Sequence, residues 1–143
     1  LEFAKNVANA SDYNIQVGQN MRSLQSLALT TKSIGIVLSQ IKKGVEYRRA
    51  KKPTISDIEW SGLIKQLSAY IFFSYYPCKY YGDHKISKDK YYILGEKTRF
   101  AETFTYPLKV IPELGHFKEI DISERTEYVK ELTKLLESKA NPE

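Results

Sequence analysis

The stretch "TISDIEWSGLIKQLSAYIFFSYYP", residues 54–77, decides the fold: taken at helical spacing, it makes the chain a bundle. Ser56 followed three residues later by Glu59 has the form of a capping box, each side chain placed to reach the other's backbone amide. Ile58, Leu63, Leu67, Tyr70, Ile71 and Ser74 then fall on one stripe, and Pro77 ends the run because it can neither donate nor fit inside a helix.

The flanking sequence gives the bundle its other members. Residues 21–43, "MRSLQSLALTTKSIGIVLSQIKK", carry Met21, Leu24, Ala28, Thr31, Ile34, Leu38 and Ile41 at three-four spacing, with Asn20 as a start and Lys42, Lys43 and Gly44 as an end. Residues 1–10 predict an earlier helix with a turn around "NASDYN". Residues 122–139 predict a final helix, with Tyr128, Val129, Leu132, Leu135 and Leu136 facing inward and Glu127, Lys130, Glu131 and Lys134 outward. Between the helices, "KYYILGEKTRFAETFTYPLKV", residues 90–110, holds two runs of aromatic and β-branched residues around "GEKT", the pattern of a hairpin or small sheet. The expected fold is therefore mainly α: a helical bundle with a small β-hairpin or sheet insert. One domain spans 1–143, with a helical body at about 1–77 and 119–140 and the insert at about 78–118.

Composition narrows the function classes. The 143 residues include 42% hydrophobic and 27% charged, as in ordinary folded domains. Lysine and arginine number 22 against 17 acidic residues, a net charge of +5, which favours acidic partners such as nucleic acid. Cys78 is the single cysteine, so no disulfide closes within the chain; this fits a reducing compartment, and a cytoplasmic location is expected. Apolar runs such as "YIFF" are too short to span a bilayer, so no membrane partner is expected. The opening "LEFAKNVANA" lacks methionine and reads as a start inside a longer chain.

Catalytic motifs are incomplete. Cys78 with His84 or His116 lacks the third group that would orient a base. Cys78, Asp83, His84 and His116 have ligand atoms but no paired metal-site spacing. Asp83 with Glu96 and Lys97 faintly resembles the acid-and-lysine set of a metal-dependent nuclease, though Thr98 stands where the lysine belongs. No glycine-rich loop cradles a phosphate. The sequence predicts no enzyme, no cofactor and no metal.

Binding is better supported. "KKGVEYRRAKK", residues 42–52, sets Lys42, Lys43, Arg48, Arg49, Lys51 and Lys52 around a single glutamate. Its plain reading is a solvated linker; its functional reading is a phosphate-contacting segment. The segment "FFSYYPCKYYGDHKISKDKYY", residues 72–92, adds Lys79, Lys85, Lys88 and Lys90, with Tyr80 and Tyr81 as stacking candidates. Rings that stack on bases beside cations that follow the backbone are how single strands are held, so single-stranded DNA or RNA is expected ahead of duplex. The rival is a protein–protein module that uses the same tyrosines as interface anchors.

In length, in the expected helices 21–43 and 56–76, and in the β-like "KYYILGEKTRFAETFTY", the chain resembles the small helical subunits of archaeal CRISPR interference (Cascade-type) complexes. That resemblance implies a non-enzymatic subunit of an antiviral nucleoprotein complex, touching nucleic acid and neighbouring protein subunits. It is architectural and transfers no site residues.

Overall fold

The computed structural model describes residues 10–59, 61–82 and 84–140. In chain order these form α1 (Ala10–Thr31), an irregular loop with two short 3-10 turns, α2 (Ser61–Leu67), β1 (Tyr70–Tyr75), α3 (Cys78–Tyr81), β2 (Lys90–Thr98), β3 (Phe104–Ile111), β4 (His116–Lys118) and α4 (Ile122–Ala140). The strands make one antiparallel meander in the order β1-β2-β3-β4. The fold is thus α+β around a four-stranded sheet, which corrects the expected helical bundle with a β insert.

Two segments account for the correction. At residues 54–77 the helix is confined to α2, and "YIFFSY" is a strand whose residues alternate exposed and buried. Aromatic and β-branched side chains fit a half-buried pleated surface better than a helix, where they lose χ1 freedom. The Ser56–Glu59 capping box does not form; Thr54 and Asp57 take that part around a 3-10 turn (Ile55–Asp57). At residues 21–43 the helix is already running at Ala10, the first described residue, and stops at Thr31. Residues Ala10–Asn14 of the expected "NASDYN" turn are helical, and residues 1–9 lie outside the described ones.

The stop in α1 has a definite cause. Lys32 sits in the left-handed region at φ 52°, its N–H donates to Leu29 O (3.3 Å), and the Ser33 N–H reaches back to Ala28 O (2.9 Å). That pair of bonds is a Schellman motif, which satisfies the last carbonyls and turns the chain out of the helix. Beyond it, residues 33–40 form neither helix nor strand.

The core lies on one face of the sheet. Ile71, Phe73 and Tyr75 of β1 stand beside Tyr92 and Leu94 of β2, in the registers Phe73–Leu94 and Tyr75–Tyr92. Ile58, Ile86 and α4 residues Leu132 and Leu135 close over them. α4 occupies the span that its apolar stripe predicts, and Tyr92 ties it down by donating its hydroxyl to Tyr128 O (3.0 Å). The hairpin between β2 and β3 turns at residues 99–103, just past "GEKT". Pro107, opposite Tyr92, is tolerated because β4 pairs with β3 only from Lys109 onward.

The long loop before α2 is fastened at Asp57. Ile41 and Ile58 form an isolated bridge, and the Lys42 N–H donates to Asp57 O (2.7 Å). The Asp57 carboxylate, only 13% exposed, accepts from Arg48 Nη2 (2.5 Å), the Thr54 N–H (2.7 Å) and Thr54 Oγ1 (2.9 Å). Burial alone would raise its pKa, but the Thr54 amide and the Arg48 guanidinium outweigh it and hold the group below the ordinary 3.8.

Two buried tyrosines give opposite expectations. The Tyr75 hydroxyl is buried without a hydrogen-bond partner among the described residues, whereas that of Tyr92 is bonded. Tyr75→Phe should be neutral or stabilising by up to about 1 kcal/mol, and Tyr92→Phe destabilising by about 0.5–1.5 kcal/mol; urea unfolding of both variants reads the difference. Because folding depresses the pKa of Asp57, its contribution is complete above the unfolded value and is lost as pH falls through the folded one. Asp57→Ala should cost about 1.5–3 kcal/mol at pH 7. The cost should shrink below about pH 4, where the wild-type carboxylate is itself protonated; a pH series of unfolding curves for the two proteins checks it.

Candidate nucleic-acid interface

The two basic stretches meet at one tyrosine. The Tyr81 hydroxyl accepts the Lys51 N–H (2.6 Å) and points its own proton at Arg49 O (3.3 Å), which seats the 48–52 loop against α3. Lys139 of α4 lies over the Tyr81 ring at 6.0 Å. Lys79 is on the same short helix and exposed, as is Arg49, while Lys51 is half-buried. Tyr81 therefore touches the backbone of Arg49 and Lys51 and carries the Lys139 ammonium over its ring, two residues from Lys79 on the same helix.

The remaining expected cations divide by what they already touch. Arg48 is bound to Asp57, and Lys52 pairs with Glu96 of β2 at 2.7 Å. Lys90 is only 12% exposed, paired with Glu131 and set over the Tyr128 ring at 4.4 Å, so it is withdrawn into the structure. Lys88 pairs with Glu113 at 3.3 Å, but both ends are exposed and such a pair is worth little. Lys42, Lys43 and Lys85 are exposed and have no ion pair among the described residues. Tyr80 stacks on Tyr75 (6.1 Å, 24°) and packs against the core; burial, then the charge of Glu46, raises its hydroxyl pKa. With Tyr80 stacked inward and Tyr81 holding the loop, neither ring is an open platform of the kind bases stack on.

Sequence reasoning missed a second cationic corner. Lys97 and Arg99, at the end of β2 and the start of the hairpin turn, both reach the C-terminal carbonyls of α2. Lys97 Nζ donates to Lys65 O and to Ser68 O (2.8 Å), and Arg99 Nη2 to Gln66 O (3.3 Å). Cations at a helix C-terminus satisfy carbonyls that the helix leaves open. Burial, and then the charges of Arg99 and Lys65, lower the Lys97 pKa. No spacing rule points to this contact, because it joins residues about thirty positions apart. The carboxylates considered for a metal fare differently: Asp83 lies outside the described residues, Glu96 is engaged by Lys52, and no group of three metal-ligating side chains occurs among the described residues. No described helix is long and apolar enough to cross a membrane.

Comparison with known proteins sets this geometry in a family. Residues 1–119 match the family described as DnaB-like helicase C terminal domain. The replicative DNA helicase DnaC of Bacillus subtilis (strain 168) is 32% identical over 106 residues, and the replicative DNA helicase DnaB of Geobacillus stearothermophilus is 33% identical over the same length. Each alignment takes in 74% of this chain and 23% of the relative, so the chain spans about a quarter of the length of those helicases. Among solved structures, an ATPase domain superposes with a TM-score of 0.72 at 32% identity, over 81% of this chain and 41% of that one. A DnaB-like replicative helicase solved for its interactions with primase superposes with a TM-score of 0.74 at 31% identity, over 85% of this chain and 29% of that one.

These matches overturn the CRISPR resemblance and, with it, the expectation of an antiviral subunit. They equally displace the expectation of a non-enzymatic nucleoprotein subunit, and the adaptor reading that rivalled it, since the curated relatives are helicases. The earlier resemblance rested on size and a helical bundle; neither distinguishes families, and the bundle does not form. The chain belongs to the DnaB-like helicase C terminal domain family.

Proposed function

We propose that this chain forms part of the ATP-hydrolysing motor of a replicative DNA helicase, and that the cationic rim around Tyr81 contacts DNA backbone. The observation that carries the reading is the joint match in sequence and structure: 32% identity and a TM-score of 0.72 to a domain described as an ATPase. The 143 residues hold no glycine-rich phosphate loop. Their contribution to ATP hydrolysis would then be made beside a nucleotide whose phosphates other residues cradle.

The DNA-binding part of the proposal rests on charge and placement. Arg49, Lys51 and Lys79 are the expected phosphate contacts, with Lys42, Lys43 and Lys85 as further exposed cations and Arg48, Lys52, Lys88 and Lys90 as partly neutralised ones. Lys–Arg contacts to phosphate release condensed counterions and act without regard to sequence. Tyr80 and Tyr81 serve by holding the rim in place. Neighbouring protein subunits are the second class of partner; the relative solved for its interactions with primase makes primase the first to try. A cytoplasmic location follows from the same reading.

The test is made on the polypeptide as its source expresses it, by following ATP hydrolysis with and without single-stranded DNA, and DNA affinity across a salt series. DNA-stimulated hydrolysis is expected. Arg49→Glu combined with Lys51→Glu should weaken DNA binding about tenfold or more at low salt for all sequences alike. The log–log salt slope should fall by about 1.4, at roughly 0.7 per lost single-strand contact. Neither ATP hydrolysis nor DNA binding at low salt would end the helicase reading. Hydrolysis with an unchanged slope in the folded double variant would move the DNA contact away from Tyr81.

A further inference from the structure

The turn that opens the basic loop has three faces, and one of them is unused. Residues Lys43–Tyr47 form a 3-10 turn, in which side chains three positions apart eclipse one another. On the first face Val45 is 1% exposed, and Arg48, next after the turn, bonds the Asp57 carboxylate. On the second, Lys43 stands with Glu46, and their opposite charges offset. On the third are Gly44 and Tyr47. Tyr47 is 86% exposed, and a Cβ on Gly44 would meet nothing within 4 Å. The glycine therefore leaves a bare slot beside an open ring.

A single exposed ring is ordinary and signals nothing by itself. What sets Tyr47 apart is that its support is pinned on both sides. Before the turn, the Lys42 N–H donates to Asp57 O (2.7 Å); after it, the Tyr81 hydroxyl accepts the Lys51 N–H (2.6 Å). A ring held out from a fixed backbone loses little freedom when something flat settles on it.

The neighbours of the ring in the chain point to the occupant. Lys42, Lys43 and Arg49 are exposed, whereas Val45 is buried and Ala50 half-buried, so residues 42–52 show no second exposed apolar side chain. The centre of a protein interface is poor in charge and rich in apolar surround, which this segment lacks. A base on a single strand is held by a ring set among cations, which this segment has. We infer that Tyr47 is the base-stacking platform of the basic loop, taking a base of single-stranded DNA beside Gly44 while Lys42 and Arg49 follow the backbone. The inference rests on the DNA-binding reading above and narrows it to single strands, because a duplex keeps its bases stacked on one another. It also gives the loop the ring that Tyr80 and Tyr81, engaged elsewhere, do not supply.

The affinity of the natural polypeptide for oligo-dT, for an abasic strand of the same length and for a duplex tests it. Tyr47→Ala should weaken oligo-dT binding by about fivefold to a hundredfold, the range for losing one stacked base. Tyr47→Phe should bind as the wild type does, since the ring suffices. On the abasic strand and the duplex, Tyr47→Ala should leave affinity unchanged, and on oligo-dT it should leave the salt slope unchanged, because a ring neutralises no phosphate. The exposed position means that both variants should melt as the wild type does. Oligo-dT binding unmoved by Tyr47→Ala overturns the inference and leaves the cationic rim standing. An equal loss on the abasic strand overturns it too, by making the ring a support for the loop, as does a loss in Tyr47→Phe, by assigning the contact to the hydroxyl. Wild-type protein that binds none of the three at low salt removes the DNA-binding reading and the inference together.

Discussion

The structure depends on two cross-strand pairs. Phe73 opposite Leu94 and Tyr75 opposite Tyr92 place four nearly solvent-free side chains on one face of the first two strands. A one-residue slip of either strand would turn its two outward, so burial of this face sets the register. α4 is positioned by the same group, through Leu132, Leu135 and the bond from Tyr92 to Tyr128 O. The Asp57 clamp and the Tyr81 contacts then hang the basic loop on this frame at α3 and β2. The basic loop is thus held by the Tyr81 hydroxyl together with the Arg48–Asp57 and Lys52–Glu96 ion pairs.

Only α4 and the β2–β3 hairpin of this arrangement were legible in residue spacing, and the misread segments share a cause. α4 reads clearly because its polar face is continuous, so only one period explains it. The β2–β3 hairpin reads clearly because aromatic and β-branched residues dominate both runs. "YIFFSY", residues 70–75, and "IGIVL", residues 34–38, hold a single serine between them, and a short run almost without polar residues satisfies helical and strand periods equally. For the first, side-chain type decided against the helix; for the second, a Schellman turn at Lys32, where glycine would ordinarily announce it, ended α1 unseen.

The candidate site was legible as charge but not as availability. Sequence identifies Arg48, Lys52 and Lys90 as cations, yet each is held by a carboxylate nine or more positions away. Tyr81 looked like a stacking ring and is a fastening between loop and helix. The contacts of Lys97 and Arg99 were not legible because their partners are backbone carbonyls of α2 and the residue just after it, which no side-chain pattern reveals. The family itself could not be reached from motifs, because no phosphate-binding loop stands in these residues.

Every position described above rests on residues 70–75 pairing as a strand around Tyr92 and Leu94 instead of continuing α2. Backbone chemical shifts of Tyr70–Tyr75, read together with cross-strand nuclear Overhauser contacts to residues 92–95, test it most directly. Extended-strand shifts with contacts in the Phe73–Leu94 and Tyr75–Tyr92 register are expected. Helical shifts running from Ser61 through Tyr75, with sequential helical contacts in their place, would contradict the fold and everything positioned on it.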